Sequence, residues 1–435
     1  MVVRPEGYRS RLVDGMVEES LRSFGGVVIE GPRGCGKTWT GLAHSDGHSI
    51  SKDADICWPR AMDMQTVSSG PHPIDAYQDV AGTEAIAGSE RDTPLENGGP
   101  ISTSSSVQTS RSLIEKSNGR MMGIRMRPMS LYESGDSDGS VSLRTIMSGG
   151  SMEFVQNPVS LERLVDLIIG GGWPGCIGLS SEDRVGFVRS YLECSFHDAS
   201  VFGGMRRKES NVRSVLKALA RSECIPSPVT KVCRDTCVPF ERYGPLILPG
   251  RTIGSESAVS YDTAIDYLGV FRDMFLTDDQ PAFDPEMRSS IKVGKTAKRH
   301  LADPSLTAAA LGAGKGRLMN DLVTTEYLLE ALCERDLRIY AETMGAGLFH
   351  YRDDSGREVD AIVELPDGRW GAFEIKLGAN QIEDAAKNLL DFRKSLEKHG
   401  ASRIPDVLCV ICGLTEYSYL RNDGVYVVAV TVLGP

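Results

Sequence analysis

A glycine-rich octapeptide near the N-terminus has the residue types needed to bind phosphate. Its sequence, GPRGCGKT, follows the short apolar run VVIE. The glycines let backbone N–H groups approach phosphate oxygens closely, and the spacing matches the Walker A pattern. In such a loop Lys37 reaches the β- and γ-phosphates and Thr38 coordinates Mg²⁺. The pattern therefore predicts a P-loop that binds ATP and Mg²⁺. Its residues are Gly31, Pro32, Arg33, Gly34, Cys35, Gly36, Lys37 and Thr38.

An ATPase of this kind also needs an acidic residue at the end of a neighbouring strand. In the segment PIDAYQ, Asp75 is the best candidate for the acid that holds Mg²⁺. Ala76 has no side chain to orient an attacking water molecule, and the preceding SSGPHP is not the apolar strand expected in a parallel sheet. The sequence therefore supports ATP binding better than hydrolysis. Lys37 and Asp75 are the candidate catalytic residues for hydrolysis.

A second group of candidate residues lies near the C-terminus. Side chains alternate along a strand, so Glu374 and Lys376 project from one face, and Asp360 begins the partner strand across the turn Pro366-Asp367-Gly368. Two carboxylates that converge there would bind Mg²⁺, and the lysine would stabilise an attacking hydroxide or developing phosphorane charge. Glu330 on the preceding helix is a possible additional acid. The alternative is a solvated ion pair between Glu374 and Lys376.

The elements around these residues follow from the hydrophobic pattern. A strand is predicted at VVIE, and a helix is predicted to begin at Lys37. Helical spacing recurs in LERLVDLIIGG, with Ser160 as N-cap, in DRVGFVRSYLECSF, in NVRSVLKALARS and in SYDTAIDYLGVFRDMFL. The last third predicts helices at TTEYLLEALCERDLRIYAETMG and QIEDAAKNLLDFRKSLEKHG, and strands at LFHYRD, VDAIVEL, WGAFEIKL, DVLCVICGL and GVYVVAVTVL. From Ala61 to Asn118 the periodicity is weak, which is typical of a loop or a poorly specified part of a sheet.

Composition limits the class of protein. The 435 residues carry a formal net charge of −11, which argues against non-specific binding to DNA or anionic membranes. No apolar stretch reaches the roughly 18 residues that span a bilayer, and the polar N-terminus lacks a signal-peptide core. We therefore expect a cytoplasmic protein whose ten cysteines are reduced and bind no metal. Arg206-Arg207-Lys208 and the run Lys292, Lys295, Lys298 and Arg299 are local basic patches that are typical of solvated surface, although a nucleic-acid site is the alternative.

Several longer strings extend the interpretation to nearly the whole chain. They are RLVDGMV, VVIEGPRGCGKTWT, RMRPMSLYESG, DLIIGGGWP, KRHLADPSLTAAALG, RDLRIYAET, FHYRDDSGREVDAIVELPDGRWGAFEIKLG and DGVYVV. In these strings the chain resembles a bacterial family of AAA ATPases that carries a C-terminal domain of unknown function. The resemblance implies an α/β fold: a P-loop AAA core (1–150), a helical lid (151–207), a winged-helix-like connector (208–285) and a C-terminal α/β domain resembling the restriction-endonuclease-like fold (286–435).

The resemblance also identifies departures and further candidates. Where family members have Asp-Glu-Trp-Gln this chain has Asp75-Ala76-Tyr77-Gln78, so the water-orienting Glu is missing. Thr103 takes the sensor position. Arg120, and alternatively Arg125 or Arg127, could sense the γ-phosphate, although a structural ion pair is the other interpretation of each.

Three functions remain open: a nucleotide-driven switch or ATPase that acts through the C-terminal domain, a nucleotide-regulated Mg²⁺-dependent nuclease, and an ATP-binding scaffold that does not hydrolyse. The expected partners are ATP and, through the winged-helix-like and C-terminal domains, nucleic acid. We expect no membrane partner. A homo-oligomer is possible because AAA cores often form rings.

Overall fold

The computed structural model describes residues 5–24, 26–44, 101–236, 259–285 and 296–435. Asp75 and Ala76 lie outside these residues, as do Lys292, Lys295 and the cysteines Cys57 and Cys237. The described part forms a small N-terminal sheet, a helical middle region and a larger C-terminal sheet. No helix in these ranges is long and apolar enough to cross a membrane.

The N-terminal sheet is parallel and has β1 at its centre, between β2 and β3. Its strands are β1 (Val27–Glu30), β2 (Ile101–Ser104) and β3 (Met122–Arg125), with helices α1 (Asp14–Phe24), α2 (Lys37–His44) and α3 (Val107–Lys116). The predicted strand at VVIE and the predicted helix start at Lys37 are confirmed. A strand and a helix, not a loop, occupy residues 101–116 of the weakly periodic segment. Ser106 caps the helix by accepting a hydrogen bond from Thr109 N.

Helices dominate the middle of the chain. One apolar cluster joins most of them, whereas the buried side chains of residues 161–170 belong to the core of the C-terminal sheet. The helices are α6 (Leu161–Gly170), α7 (Ser181–Val201), α8 (Glu209–Ala220), α9 (Val229–Asp235), α10 (Tyr261–Asp273) and α11 (Pro304–Leu311). The four helices predicted from apolar spacing in this region are α6, α7, α8 and α10, and Ser160 caps α6 as expected. The helix α9 was not predicted from the apolar spacing.

A hairpin follows α10, and we call it the connector hairpin. Its two segments, residues 276–282 and 296–301, pair in antiparallel fashion through the bridges Thr277–Leu301 and Gln280–Lys298. Its first segment also bonds to the larger sheet, because Phe283 N donates to His350 O at 2.7 Å and His350 N donates to Pro281 O at 2.9 Å. The hairpin therefore connects the helical region to the C-terminal sheet.

The C-terminal sheet has seven strands in the order β5-β10-β11-β9-β8-β7-β6. Its later strands are β6 (Gly347–Arg352), β7 (Glu358–Glu364), β8 (Trp370–Gly378), β9 (Val407–Leu414), β10 (Tyr417–Leu420) and β11 (Val425–Ala429). The long helix α13 (Leu322–Glu342) follows a short α12 (Lys315–Leu318) and packs on one face, and α14 (Ile382–Lys398) packs on the other. Each strand and helix that the sequence predicts here is confirmed. The central strands β9 and β11 are apolar and buried on both faces because helices cover the sheet on both sides.

Residues before α6 also contribute to this C-terminal unit. The strand β5 (Val155–Gln156) pairs with β10, and β4 (Val141–Ser142) pairs with β12 (Leu433–Gly434). Helix α4 (Leu131–Ser134) and helix α5 (Leu143–Met147) add apolar side chains to the same core as α13. Residue 150, the expected end of the N-terminal core, therefore does not coincide with a boundary in packing.

Candidate functional site

The glycine-rich loop connects β1 to α2, as its sequence predicts. Gly31 follows the strand directly, and a Cβ atom at this position would lie 2.0 Å from the carbonyl oxygen of Met126. Gly34 and Gly36 have φ angles of 72° and 106°, which L-residues rarely adopt. The glycines are therefore required by the backbone of the loop itself, and the N-terminus of α2 points its free N–H groups to the same place.

Lys37, the first residue of α2, folds back onto the loop. Its ammonium donates to Gly31 O at 3.0 Å and to Pro32 O at 2.8 Å, and its side chain is almost fully buried. A phosphate group would be a stronger acceptor for this ammonium than the two carbonyl oxygens. Thr38 follows it in the helix and is half-buried.

Arg11 supports the loop from behind. Its guanidinium donates to Cys35 O at 2.7 Å, to Arg127 O at 2.8 Å and to a carboxylate oxygen of Glu133 at 2.9 Å. Burial would raise the pKa of Glu133, but the charge and hydrogen bond of Arg11 lower it below its ordinary value, so the ion pair persists. The loop is thus fixed to the segment that follows β3. The glycine pattern gives no sign of this arginine, which lies 20 residues before the loop.

The open side of the loop faces the helical region. Gly34 is exposed, with the rings of Trp173 and Tyr191 each 3.9 Å from where its Cβ would be. Arg33 pairs with Asp198 on α7 at 2.5 Å. The loop therefore contacts the region that was expected to form the lid.

The other residues predicted for this site have different surroundings. Asp75 lies outside the described residues, and Thr103 is half-buried on β2, opposite Ile29 of β1. Arg125 stacks on the Phe275 ring at 3.9 Å, and Arg127 pairs with Asp278 and Glu342 at 2.5 and 2.6 Å. These contacts favour the structural interpretation of both arginines. Arg120 lies in the turn before β3.

The second candidate site forms where β7 and β8 separate. The two strands pair from Glu364–Trp370 to Ala361–Phe373. Beyond the last pair, the backbone groups of β8 have no partner in the backbone of β7. Asp360 fills the gap, because its carboxylate accepts a hydrogen bond from Ile375 N at 2.8 Å. The predicted turn is also confirmed: Gly368 has a φ of 88° and donates to Leu365 O. The hairpin therefore brings Asp360 beside β8.

Glu374 and Lys376 project from one face of β8, and their ammonium–carboxylate distance is 2.7 Å. Lys376 Nζ also lies 3.4 Å from the Asp360 carboxylate. The predicted convergence of the three side chains is confirmed. The alternative of a solvated ion pair is wrong, because the Glu374 carboxylate of this pair is buried. Phe373, Ile375 and Leu377 face the opposite side, in the core beneath α13.

Lys298 enters the same cluster from the connector hairpin. Its ammonium lies 2.7 Å from Glu330 on α13, 3.3 Å from Glu358 and 3.8 Å from Asp360. The prediction that Lys298 belongs to a solvated basic patch is wrong, because its side chain is 1% exposed. Its neighbour Arg299 pairs with Asp279. We call Glu330, Glu358, Asp360, Glu374, Lys298 and Lys376 the carboxylate cluster.

The carboxylates of this cluster titrate unequally. Burial, and then the negative charge of Asp360, raise the pKa of Glu374 to about 8, although Lys376 opposes the shift. Burial also raises the pKa of Glu330 to about 7 against the charge of Lys298. For Asp360, burial is outweighed by Lys298 and Lys376, which hold its pKa below the ordinary value. Asp360 is thus the ionised centre of the cluster, and Glu374 and Glu330 can exchange protons near neutral pH.

A third group of polar side chains lies beside Lys298. Glu223, Cys224 and His300 are buried with their ligand atoms within 4.8 Å of one another. Each has a partner within the protein: His300 Nδ1 lies 3.1 Å from Glu223, and the Cys224 thiol donates to Tyr327 O at 3.1 Å. Internal contacts therefore occupy the Cys224 thiol, Glu223 and Nδ1 of His300, whereas the buried Nε2 of His300 has no hydrogen-bond partner within the described residues. The eight cysteines within the described ranges form no disulfide with one another.

Comparison with known sequence families gives two matches, both to domains of unknown function. Residues 161–317 match the family DUF8612, and residues 326–433 match the family DUF4143. The second match agrees with the expectation of a C-terminal domain of unknown function, and it contains Asp360, Glu374 and Lys376. No curated protein and no solved structure matches the chain.

Proposed function

We propose that this protein binds Mg·ATP at Gly31–Thr38 and uses the nucleotide as a switch that acts on its C-terminal domain. The observation that carries the proposal is the position of Lys37, whose buried ammonium is held by two carbonyls of its own loop at the start of α2. Backbone N–H groups of the loop would bind phosphate oxygens, Lys37 would bind the terminal phosphates, and Thr38 would bind Mg²⁺. On this proposal the N-terminal sheet and its loop would form an AAA-type P-loop core.

A continuous set of polar contacts supports a switch that reaches the C-terminal domain. Arg11 contacts the loop at Cys35 and the backbone of Arg127. The Arg127 side chain in turn binds Asp278 of the connector hairpin and Glu342 of α13. A displacement of the loop on nucleotide binding would therefore be transmitted through Arg127 to the connector hairpin and to α13. Whether the loop also hydrolyses ATP depends on residues outside the described ranges.

The direct test is calorimetric titration of Mg·ATP into wild type, Lys37→Ala and the surface control Lys315→Ala. We expect binding by wild type and the control, and at least a tenfold loss of affinity in Lys37→Ala, because a charge-assisted contact to phosphate is removed. Phosphate release by the same proteins distinguishes an ATPase from a scaffold. Absence of binding by the wild type contradicts the proposal.

The carboxylate cluster favours a second candidate function, a Mg²⁺-dependent nuclease. Asp360 and Glu374 supply two carboxylates, and the Lys376 ammonium contacts both. A third carboxylate, Glu330, contacts the ammonium of Lys298. In this assignment Asp360 and Glu374 hold the metal ion and Lys376 stabilises charge on the attacked phosphate. Helix α10 gives no support for a nucleic-acid contact in the connector, since it carries Asp262, Asp266 and Asp273.

Cleavage of end-labelled DNA in Mg²⁺ or Mn²⁺ tests this candidate. We expect cleavage by wild type and loss of at least 100-fold in Asp360→Ala, because the ionised ligand is removed. Asp367→Ala is the matched control, since Asp367 lies in the exposed turn of the same hairpin. Equal cleavage by wild type and Asp360→Ala would point to a contaminating nuclease and would sink the assignment.

A further inference from the structure

One member of the carboxylate cluster comes from outside the C-terminal sheet. The connector hairpin holds Lys298 in an antiparallel pair with Gln280, through two backbone hydrogen bonds of 2.9 and 3.0 Å. The Gln280 amide also donates to Phe349 O at 2.9 Å and to Asp360 O at 3.3 Å. Gln280 therefore bonds both to Lys298 and to the sheet, which places the backbone of the lysine beside β6 and β7.

The position of the Lys298 ammonium is where a bound cation would be expected. The ammonium lies within 4 Å of three carboxylates that come from two elements, Glu330 on α13 and both Glu358 and Asp360 on β7. Asp360 is shared, since its other oxygen faces Lys376. A buried carboxylate needs an opposite charge or a proton, and here a lysine side chain supplies the charge.

The charges of the cluster favour binding of a further cation. Four carboxylates face two ammonium groups, and the Arg352 guanidinium lies 3.6 Å from Glu358, so the fully ionised cluster carries one excess negative charge. Mg²⁺ and Mn²⁺ take carboxylate oxygens at about 2.1 Å. A divalent ion on Asp360 would therefore stand close to the ammonium of Lys298, and repulsion between the two cations opposes joint occupancy.

We propose that Lys298 is a tethered cation of the carboxylate cluster, and that a divalent metal ion must displace its ammonium in order to bind. The inference rests on the second candidate function, and it adds a control on that site: the connector hairpin keeps the cluster in a metal-free form. Release of Lys298 from Glu330 and Asp360 would admit the metal ion. The same hairpin carries Asp278, the partner of Arg127, so it is linked to the glycine-rich loop through Arg127 and Arg11.

Calorimetric titration of Mn²⁺ into nucleotide-free full-length protein tests the proposal. Lys298→Met keeps the length of the side chain and removes its charge, and Lys315→Met is the control because Lys315 bridges Glu162 and Asp166 on the surface. We expect Lys298→Met to bind Mn²⁺ at least tenfold more tightly than wild type and Lys315→Met. We also expect Mn²⁺ to raise the melting temperature of Lys298→Met more than that of wild type.

The double variant Lys298→Met/Glu330→Gln controls for destabilisation of the single variant. It removes one charge of each sign, so the net charge of the cluster is unchanged. It is also expected to bind Mn²⁺ at least tenfold more tightly than wild type. Equal affinity in wild type and both variants overturns the role of Lys298 and leaves the nuclease candidate in place. Absence of Mn²⁺ binding by folded wild type and both folded variants removes the metal site, and with it both the nuclease candidate and this inference.

Discussion

The glycine-rich loop and the carboxylate cluster are built in opposite ways. The loop consists of eight consecutive residues, Gly31–Thr38, and its candidate ligand groups are mostly backbone N–H groups fixed by a strand end and a helix start. The cluster draws side chains from the connector hairpin, α13, β7 and β8, with 78 positions between Lys298 and Lys376. Changes in the loop should therefore act through backbone sterics, whereas changes in the cluster should act through charge.

The largest effect is expected from Gly31→Ala. The added Cβ would lie 2.0 Å from Met126 O, so either the loop or the segment after β3 has to move. We expect the free energy of unfolding to fall by about 3–5 kcal/mol and Mg·ATP binding to be lost. Gly269→Ala on α10 is the control, because its Cβ meets nothing within 4 Å. Urea denaturation and calorimetry check both, and a stable Gly31→Ala that binds ATP would contradict the steric account.

A pair of lysine variants separates the two regions more sharply. Lys376→Met removes an ion pair of 2.7 Å to Glu374 and one of 3.4 Å to Asp360, leaving buried carboxylates without that charge. It should cost about 3 kcal/mol of stability and leave ATP affinity unchanged. Lys37→Met loses two hydrogen bonds to carbonyls, so it should cost only about 1 kcal/mol but abolish ATP binding. Similar losses of stability in both variants would contradict the view that the cluster depends on charge more than the loop does.

The sequence predicted the loop because the spacing of its glycines and lysine is local. Spacing alone places Gly31 and Lys37 between a strand and a helix, and the structure agrees. The hairpin of β7 and β8 was equally predictable from the sequence, because strand alternation and the turn at Gly368 bring Asp360 beside Lys376. The roles of these residues in binding and catalysis stay predictions.

Lys298 could not be placed from the sequence, because its surroundings depend on long-range packing. The run that contains it is basic and polar, and nothing in its spacing distinguishes a buried lysine from a solvated one. Only the pairing of the connector hairpin with β6 carries its ammonium to Glu330. In the structure Lys298 and His300 lie on the same side of an extended segment, and each contacts an acid of another element. Arg11 was missed for the same reason.

The pH dependence of stability should report on the carboxylate cluster, because its side chains are held together by charge. The pKa of Glu374, about 8 in the folded protein, is above its ordinary value, so its contribution to stability is fully present below about pH 4.5 and is lost as the pH rises through 8. The groups that face it are Asp360, Lys376 and Lys298. In the presence of a metal chelator, Glu374→Gln should equal wild type in stability near pH 5 and be the more stable of the two at pH 9. A difference that is independent of pH would show that Glu374 is ionised throughout.

The smallest effect is expected at the turn that sets the hairpin. Gly368 has a φ of 88°, so Gly368→Ala forces an L-residue into a left-handed conformation and should cost about 1 kcal/mol. The nearest atom to the new Cβ is a nitrogen of Arg403 at 3.9 Å, so no steric clash adds to this cost. Because Asp360 is held separately by Ile375 N, the cluster should keep its geometry, and the pH dependence of stability should match that of the wild type. If the variant alters that pH dependence, the turn and the cluster are coupled, and the cluster depends on local hairpin geometry more than its long-range assembly implies.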